Sequence, residues 1–154
     1  MNHADHPSVG VGGVVIHDGK VLLVRRGKEP LRGRWLIPGG TVELGESLEA
    51  ALVREMLEET GVTVRPLEVL LVFDRILREG DRVRYHYVIV DYRCEYVDGE
   101  VRAGSDADEA VFVAEEDLGA FDLPDKALEV VREGFRRAAT EDLPGGSEWS
   151  KILK

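Results

Sequence analysis

The sequence is poor in cysteine. Cys94 is its only one, so no internal disulfide can form. That fits a reducing compartment, and a cytoplasmic location is expected. No apolar run reaches the ~18 residues that a membrane span needs. Met1 to Val9 shows no basic stretch leading into an apolar one, so a secretory signal is not expected there. Positive charge is also short: 20 Lys and Arg stand against 30 Asp and Glu, for a formal net charge of −10. Such a surface repels a phosphate backbone, which argues against a nucleic-acid partner. Small anionic substrates stay open, because a bound divalent cation reverses the local field. Zinc is not expected: His17 and His86 have no second His or Cys at ligand spacing.

What is present suits one compact domain. The chain has 154 residues and a hydrophobic fraction of 44%, enough for a single core. The domain is expected over 1–140, with a loose tail over 141–154. Val9 to Ile16 and Val21 to Val24 are β-branched or leucine-rich, with Asp18-Gly19 between them, a strong hairpin signal. Leu67 to Leu77 and Val83 to Cys94 flank Glu79-Gly80-Asp81 and suggest a second hairpin. Glu100 to Arg102 and Ala110 to Val113 are shorter strand candidates. Ser47 to Thr60 reads as a helix capped by Ser47 and stopped by Gly61. A second helix is expected over Pro124 to Ala139. Strands between two helices imply an α/β (α+β) fold, an α/β/α sandwich around a mixed central sheet.

The chemistry concentrates between Gly40 and Val62. Five residues separate Gly40 from Glu46, and seven separate Glu46 from Arg54-Glu55. Met56, Leu57, Glu58, Glu59, Thr60, Gly61 and Val62 follow. On a helix turning ~100° per residue, Glu55, Glu58 and Glu59 fall within one sector and are neighbours. Carboxylates so crowded repel unless a cation sits among them, and hard oxygen ligands suit Mg²⁺ or Mn²⁺. Arg54 lies in the same turns and can orient or partly neutralise the cluster. Taken alone, three such acids would more often be a solvated helix face.

The segment resembles the Nudix box, G-x5-E-x7-R-E-U-x-E-E-x-G-U with U apolar, at every specified position. A chance match at ordinary residue frequencies is on the order of 10⁻⁷ for the whole chain. The lead-in from Gly33 through Trp35 to Gly39 is similar to that of the family as well. The resemblance implies a Nudix-type sandwich and Mg²⁺-dependent hydrolysis of a diphosphate bond. It implies metal binding by Glu55, Glu58 and Glu59, with a backbone carbonyl of Gly39 or Gly40. Glu46 is implied as a partner of Arg54 rather than a ligand. In the family the general base often precedes a late strand. Glu109 fits that place, with Asp106 and Asp108 beside it.

Arg25, at a strand end with Arg26, is a candidate phosphate contact. Trp35 is a candidate stacking surface for a base. His86, Tyr85 and Tyr87 read as ordinary strand residues, and Cys94 as a buried structural thiol. The substrate expected is ADP-ribose or a related nucleotide sugar, by analogy with small ADP-ribose hydrolases. The alternatives are an 8-oxo-dGTP type nucleoside triphosphate pyrophosphohydrolase and a non-catalytic nucleotide sensor. The partner expected is a small nucleotide, with no membrane, and both a homodimer and a monomer fit the sequence.

Overall fold

The computed structural model describes residues 5–141; the expected tail beyond them lies outside the described residues. Seven strands form one mixed sheet in the order β3-β2-β1-β6-β5, with β4 paired to β1 and β7 to β2. The strands are β1 Ser8–His17, β2 Lys20–Arg26, β3 Trp35–Leu36, β4 Gly39–Thr41, β5 Thr63–Glu79, β6 Arg82–Asp98 and β7 Ala107–Ala114. Helix α1 spans Leu48–Thr60 and α2 spans Asp125–Glu141, with a 3₁₀ turn over Glu115–Phe121. The α/β/α sandwich expected from the sequence is the observed one. Glu100 to Arg102 forms no strand. Those residues are instead tied to the end of α1, where the Arg102 amide donates to the Thr60 carbonyl at 2.9 Å.

Alternation sorts each strand's side chains onto the two faces. Val11 and Val15 of β1 pack with Leu52 and Met56 of α1 and with Val90, Tyr92 and Cys94 of β6. Val14 points the other way, to Val130 and Val131 of α2. Cys94 is buried and free, and burial pushes its thiol up to about 12. Leu57 does not join the core; it is 49% exposed, on the side of α1 away from the buried Ala51, Leu52 and Met56.

The first hairpin opens into a cleft. β1 and β2 pair only beside their turn, at Ile16 with Val21 and His17 with Lys20. Beyond it the strands part. β1 pairs in parallel with β6 and antiparallel with β4, whereas β2 pairs with β3 and β7. A cleft of about 510 Å³ lies between the diverging strands. Gly10 and Gly12 of β1 line it and fill none of it, having no side chains.

Candidate active site

Helix α1 delivers the carboxylates. Ser47 Oγ accepts the Ala50 amide at 3.1 Å, and Gly61 closes the helix at φ 75°, donating its amide to the Leu57 carbonyl. The helix is thus fixed at both ends. Its N-terminal half carries Arg54, whose guanidinium grips Glu46 through Nε at 2.7 Å and Nη2 at 2.9 Å. This two-point hydrogen bond holds the Glu46 carboxyl down at about 2 and raises the Arg54 guanidinium above its usual value. Arg54 also reaches Glu55 at 2.9 Å, Glu58 at 3.4 Å and the Thr41 carbonyl at 3.1 Å. It therefore clamps the loop after β4 to the face of α1. The pairing of Glu46 with Arg54 matches what the sequence resemblance implies.

Glu55 and Glu59 line the cleft, while Glu58 does not. Glu58 is 48% exposed and leans on Arg54. Glu59 is 6% exposed, and burial, reinforced by the Glu55 charge, pushes its carboxyl up to about 8. Arg26 and the Gly39 amide pull the other way. Glu55 is also raised, mainly by burial, against the opposing Arg54.

Both glycines lie against these acids. A Cβ on Gly40 would fall on the Glu55 carboxylate, 2.6 Å from Oε1 and closer still to its other atoms. A Cβ on Gly39 would strike the Val11 carbonyl and sit 2.8 Å from the Gly12 Cα. The backbone of β4 thus presents bare peptide to two crowded carboxylates. The oxygens of Glu55 and Glu59 are the hard donors that a divalent cation takes. Among the described residues no three His, Cys, Asp or Glu side chains converge closely enough to hold a metal ion. Glu55 and Glu58 are each held by Arg54.

The remaining candidates fall on both sides of the cleft wall. The register between β2 and β7 slips between Arg25 and Arg26, so that Arg25 faces Glu109 and Arg26 faces Ala107. Such a bulge re-aims neighbouring side chains. Arg25 pairs with Glu109 at 2.9 Å, and neither lines the cleft; Arg26 and Asp106 do. Arg26 Nε donates to the Pro30 carbonyl at 2.6 Å, and Asp106 pairs with Lys28 at 2.8 Å. Trp35 is packed edge-on against Phe121 at 4.9 Å and supports the core rather than facing the cleft.

The opposite wall comes from the second hairpin. Phe73 and Arg75 of β5 and Tyr85, Tyr87, Ile89 and Asp91 of β6 line the cleft. His86, between the two tyrosines, points to the other face, 3.9 Å from Asp74. Period-two alternation along β6 explains the split and could have signalled it.

Asp91 did not stand out in the sequence. It is 4% exposed, and burial pushes its carboxyl up to about 7 against the attraction of Arg75. An acid raised on folding holds its proton more tightly in the native state than in the unfolded one. Its contribution to stability therefore falls as pH climbs from the ordinary value of 3.8 to about 7. Asp91→Asn removes that dependence. Its Tm relative to the parent should rise across this window and level off above it. A Tm difference that stays constant with pH would show that the carboxylate is not desolvated.

Comparison with known proteins agrees with this architecture. A family model for the NUDIX domain matches residues 6–137. An ADP-ribose pyrophosphatase of Methanocaldococcus jannaschii is 39% identical over 107 residues, covering 70% of this chain and 62% of that protein. A putative ADP-ribose pyrophosphatase of Bacillus subtilis is 32% identical over 112 residues, 73% of this chain and 52% of that protein. The chain thus spans between half and two thirds of the length of these curated relatives. A MutT NUDIX hydrolase structure from Burkholderia pseudomallei superposes with a TM-score of 0.73 at 29% identity, covering 84% of this chain and 98% of that one. The family match runs over most of the sequence and includes the cleft, α1 and both hairpins, and the chain belongs to the NUDIX domain family.

Proposed function

We propose that the cleft hydrolyses the diphosphate bond of a nucleoside diphosphate linked to a second group, with ADP-ribose or a related nucleotide sugar as substrate. The observation that carries this reading is the cleft itself. It joins two crowded carboxylates and a basic rim, Arg26 and Lys28, to an aromatic wall of Phe73, Tyr85 and Tyr87. A diphosphate suits the first part and a nucleoside the second. The likeness to an ADP-ribose pyrophosphatase of Methanocaldococcus jannaschii and a putative one of Bacillus subtilis supports the choice of ADP-ribose.

Glu55 and Glu59, with Glu58 swung inward and a carbonyl of Gly39 or Gly40, would hold Mg²⁺ or Mn²⁺. When bound, the cation supplies positive charge to the diphosphate oxygens and makes a nearby water more acidic. The protein's own groups do the rest. Arg26 takes a phosphate oxygen and steadies the developing charge. A carboxylate accepts the proton as water attacks one phosphorus and the bridging P–O bond breaks, giving a nucleoside monophosphate and a sugar phosphate. Each of Asp106 and Glu109 is paired with a cation, Lys28 and Arg25, but Asp106 lines the cleft and Glu109 does not, so Asp106 is the better placed of the two. Asp106→Asn should lower kcat by on the order of 10²-fold or more, the usual contribution of a positioned base. Glu109→Gln should leave kcat within a few-fold. The reverse pattern in steady-state kinetics would return the role to Glu109.

Monophosphate release tests the reading. Nucleotide sugars, dinucleoside polyphosphates, and normal and oxidised nucleoside triphosphates would be offered with Mg²⁺, with and without an added phosphatase. ADP-ribose or another nucleotide sugar should be cut fastest. A strong preference for an oxidised triphosphate would make the protein a nucleotide-pool enzyme. Binding without turnover of any of them would make it a sensor.

A further inference from the structure

Asp91 is a buried acid with no partner. Among the described residues its side chain makes no hydrogen bond and no ion pair; only 4% of its surface is exposed, and since no fully buried polar atom is left unpartnered, that remainder is the carboxylate's opening to the cleft. Arg75 attracts it without closing to an ion pair; that guanidinium instead lies 5.6 Å over the Phe73 ring. Burying a lone carboxylate is costly, and such groups persist where a ligand completes them. The cleft keeps this one open. Asp91 lines it and stands in register with Gly12. A Cβ at Gly12 would land on Asp91 Oδ1 and 3.0 Å from Ile37 Cδ1, so any other residue there would cover the carboxylate.

Position and surroundings indicate what completes it. Gly12 is also in register with Gly39, whose amide faces Glu59. Asp91 is therefore two strand spacings, roughly 10 Å, from the backbone beside the metal-site acids. That is about the reach of a nucleoside from its diphosphate. A phosphate is excluded there by like charge. Leu36, Ile37, Phe73 and Ile89, which line the same cleft, are apolar, which suits a flat ring better than a polyol needing many polar partners. A carboxylate in such a place accepts N–H donors from the ring's edge.

We propose that Asp91 is the specificity-determining residue of the cleft: its carboxylate accepts a hydrogen bond from the exocyclic amino group of the nucleobase, selecting an amino-bearing base such as adenine over its oxo counterpart. The oxo group turns lone pairs toward the carboxylate, and the N1–H that accompanies it lies one ring atom away, so hypoxanthine can pair with Asp91 only by shifting out of adenine's position; sites built around a hydrogen bond reject ligands that cannot make it in place. This inference rests on the nucleoside diphosphate reading given above.

The test compares kcat/KM for ADP-ribose with that for inosine 5′-diphosphoribose, in which hypoxanthine replaces adenine. Measured well above the pH of about 7 at which Asp91 gives up its proton, the parent protein should favour adenine by about 10- to 100-fold, as expected of a hydrogen bond to a charged group. In Asp91→Asn, whose amide offers both an acceptor and a donor, the ratio should fall to within about 3-fold of unity. The parent ratio needs no variant, so it stands even if the substitution harms folding. Equal rates on the two substrates in the parent would overturn the role of Asp91 and leave the diphosphatase reading intact. An undiminished preference in a folded Asp91→Asn would do the same. Turnover of neither substrate would overturn this inference, and the diphosphatase reading falls with it only if every nucleotide of the panel above also stays uncut.

Discussion

Glu59→Gln should lower kcat/KM on ADP-ribose by on the order of 10²- to 10³-fold, comparable to loss of one charge-stabilising group in an active site. The substitution changes charge at constant shape. Glu59 is deep in the cleft, desolvated and repelled by Glu55. A divalent cation would turn that repulsion into attraction, and one carboxylate fewer weakens its hold. The Gln side chain has the same outline, and its carbonyl can still accept from the Gly39 amide. Removing a buried charge also relieves desolvation, so Tm should not fall. The pairing of lost turnover with retained stability separates this outcome from simple unfolding. Near-parent turnover in a folded Glu59→Gln protein would remove Glu59 from the metal site.

Gly39→Ala should act on the fold itself. The added methyl meets backbone rather than a yielding side chain: the Val11 carbonyl and, 2.8 Å away, the Gly12 Cα. β4 is held to β1 at three registered positions, Gly10 with Thr41, Val11 with Gly40 and Gly12 with Gly39. It cannot retreat without losing that pairing and moving the Gly39 amide off Glu59. Overpacking usually costs 1–3 kcal/mol, and a rigid backbone obstacle puts this case at about 3 kcal/mol or more. For a domain of this size that is roughly 10 °C in Tm. Gly33→Ala is an instructive comparison, since nothing lies within 4 Å of a Cβ there and the cost comes only from its φ of 84°. A Gly39→Ala protein as stable as the parent would mean that β4 can shift, and that the peptide beside Glu59 is not held as described.

The sequence showed best whatever is specified locally. The helix from its Ser47 cap to Gly61, the hairpin turn at Asp18-Gly19 and the spacing from Gly40 to Val62 are written in consecutive residues. Short-range rules therefore find them. The cleft's far wall was not legible, because it depends on the parallel pairing of β1 with β6, which sets Gly12 beside Asp91 across most of the chain. No local signal marks an Asp in the middle of an apolar strand as a cleft group. That Arg26 and Asp106 line the cleft in place of Arg25 and Glu109 has a different cause. A shift of one residue turns a strand's side chains to the opposite face, and the bulge after Arg25 makes that shift invisible to alternation. Trp35 was legible as a large aromatic near the box. Whether it faced the cleft or Phe121 depended on the 3₁₀ turn, far away in sequence.

The most direct test of the account is cation dependence. The protein would be stripped with a chelator, Mg²⁺ returned in steps, and AMP and ribose 5-phosphate followed as ADP-ribose is consumed. The account predicts negligible turnover in the stripped protein and a saturable rise with Mg²⁺. It also predicts that Glu59→Gln needs far more Mg²⁺ and still reaches a lower rate. Hydrolysis that persists through chelation, or a Glu59→Gln titration that overlays the parent's, would contradict it.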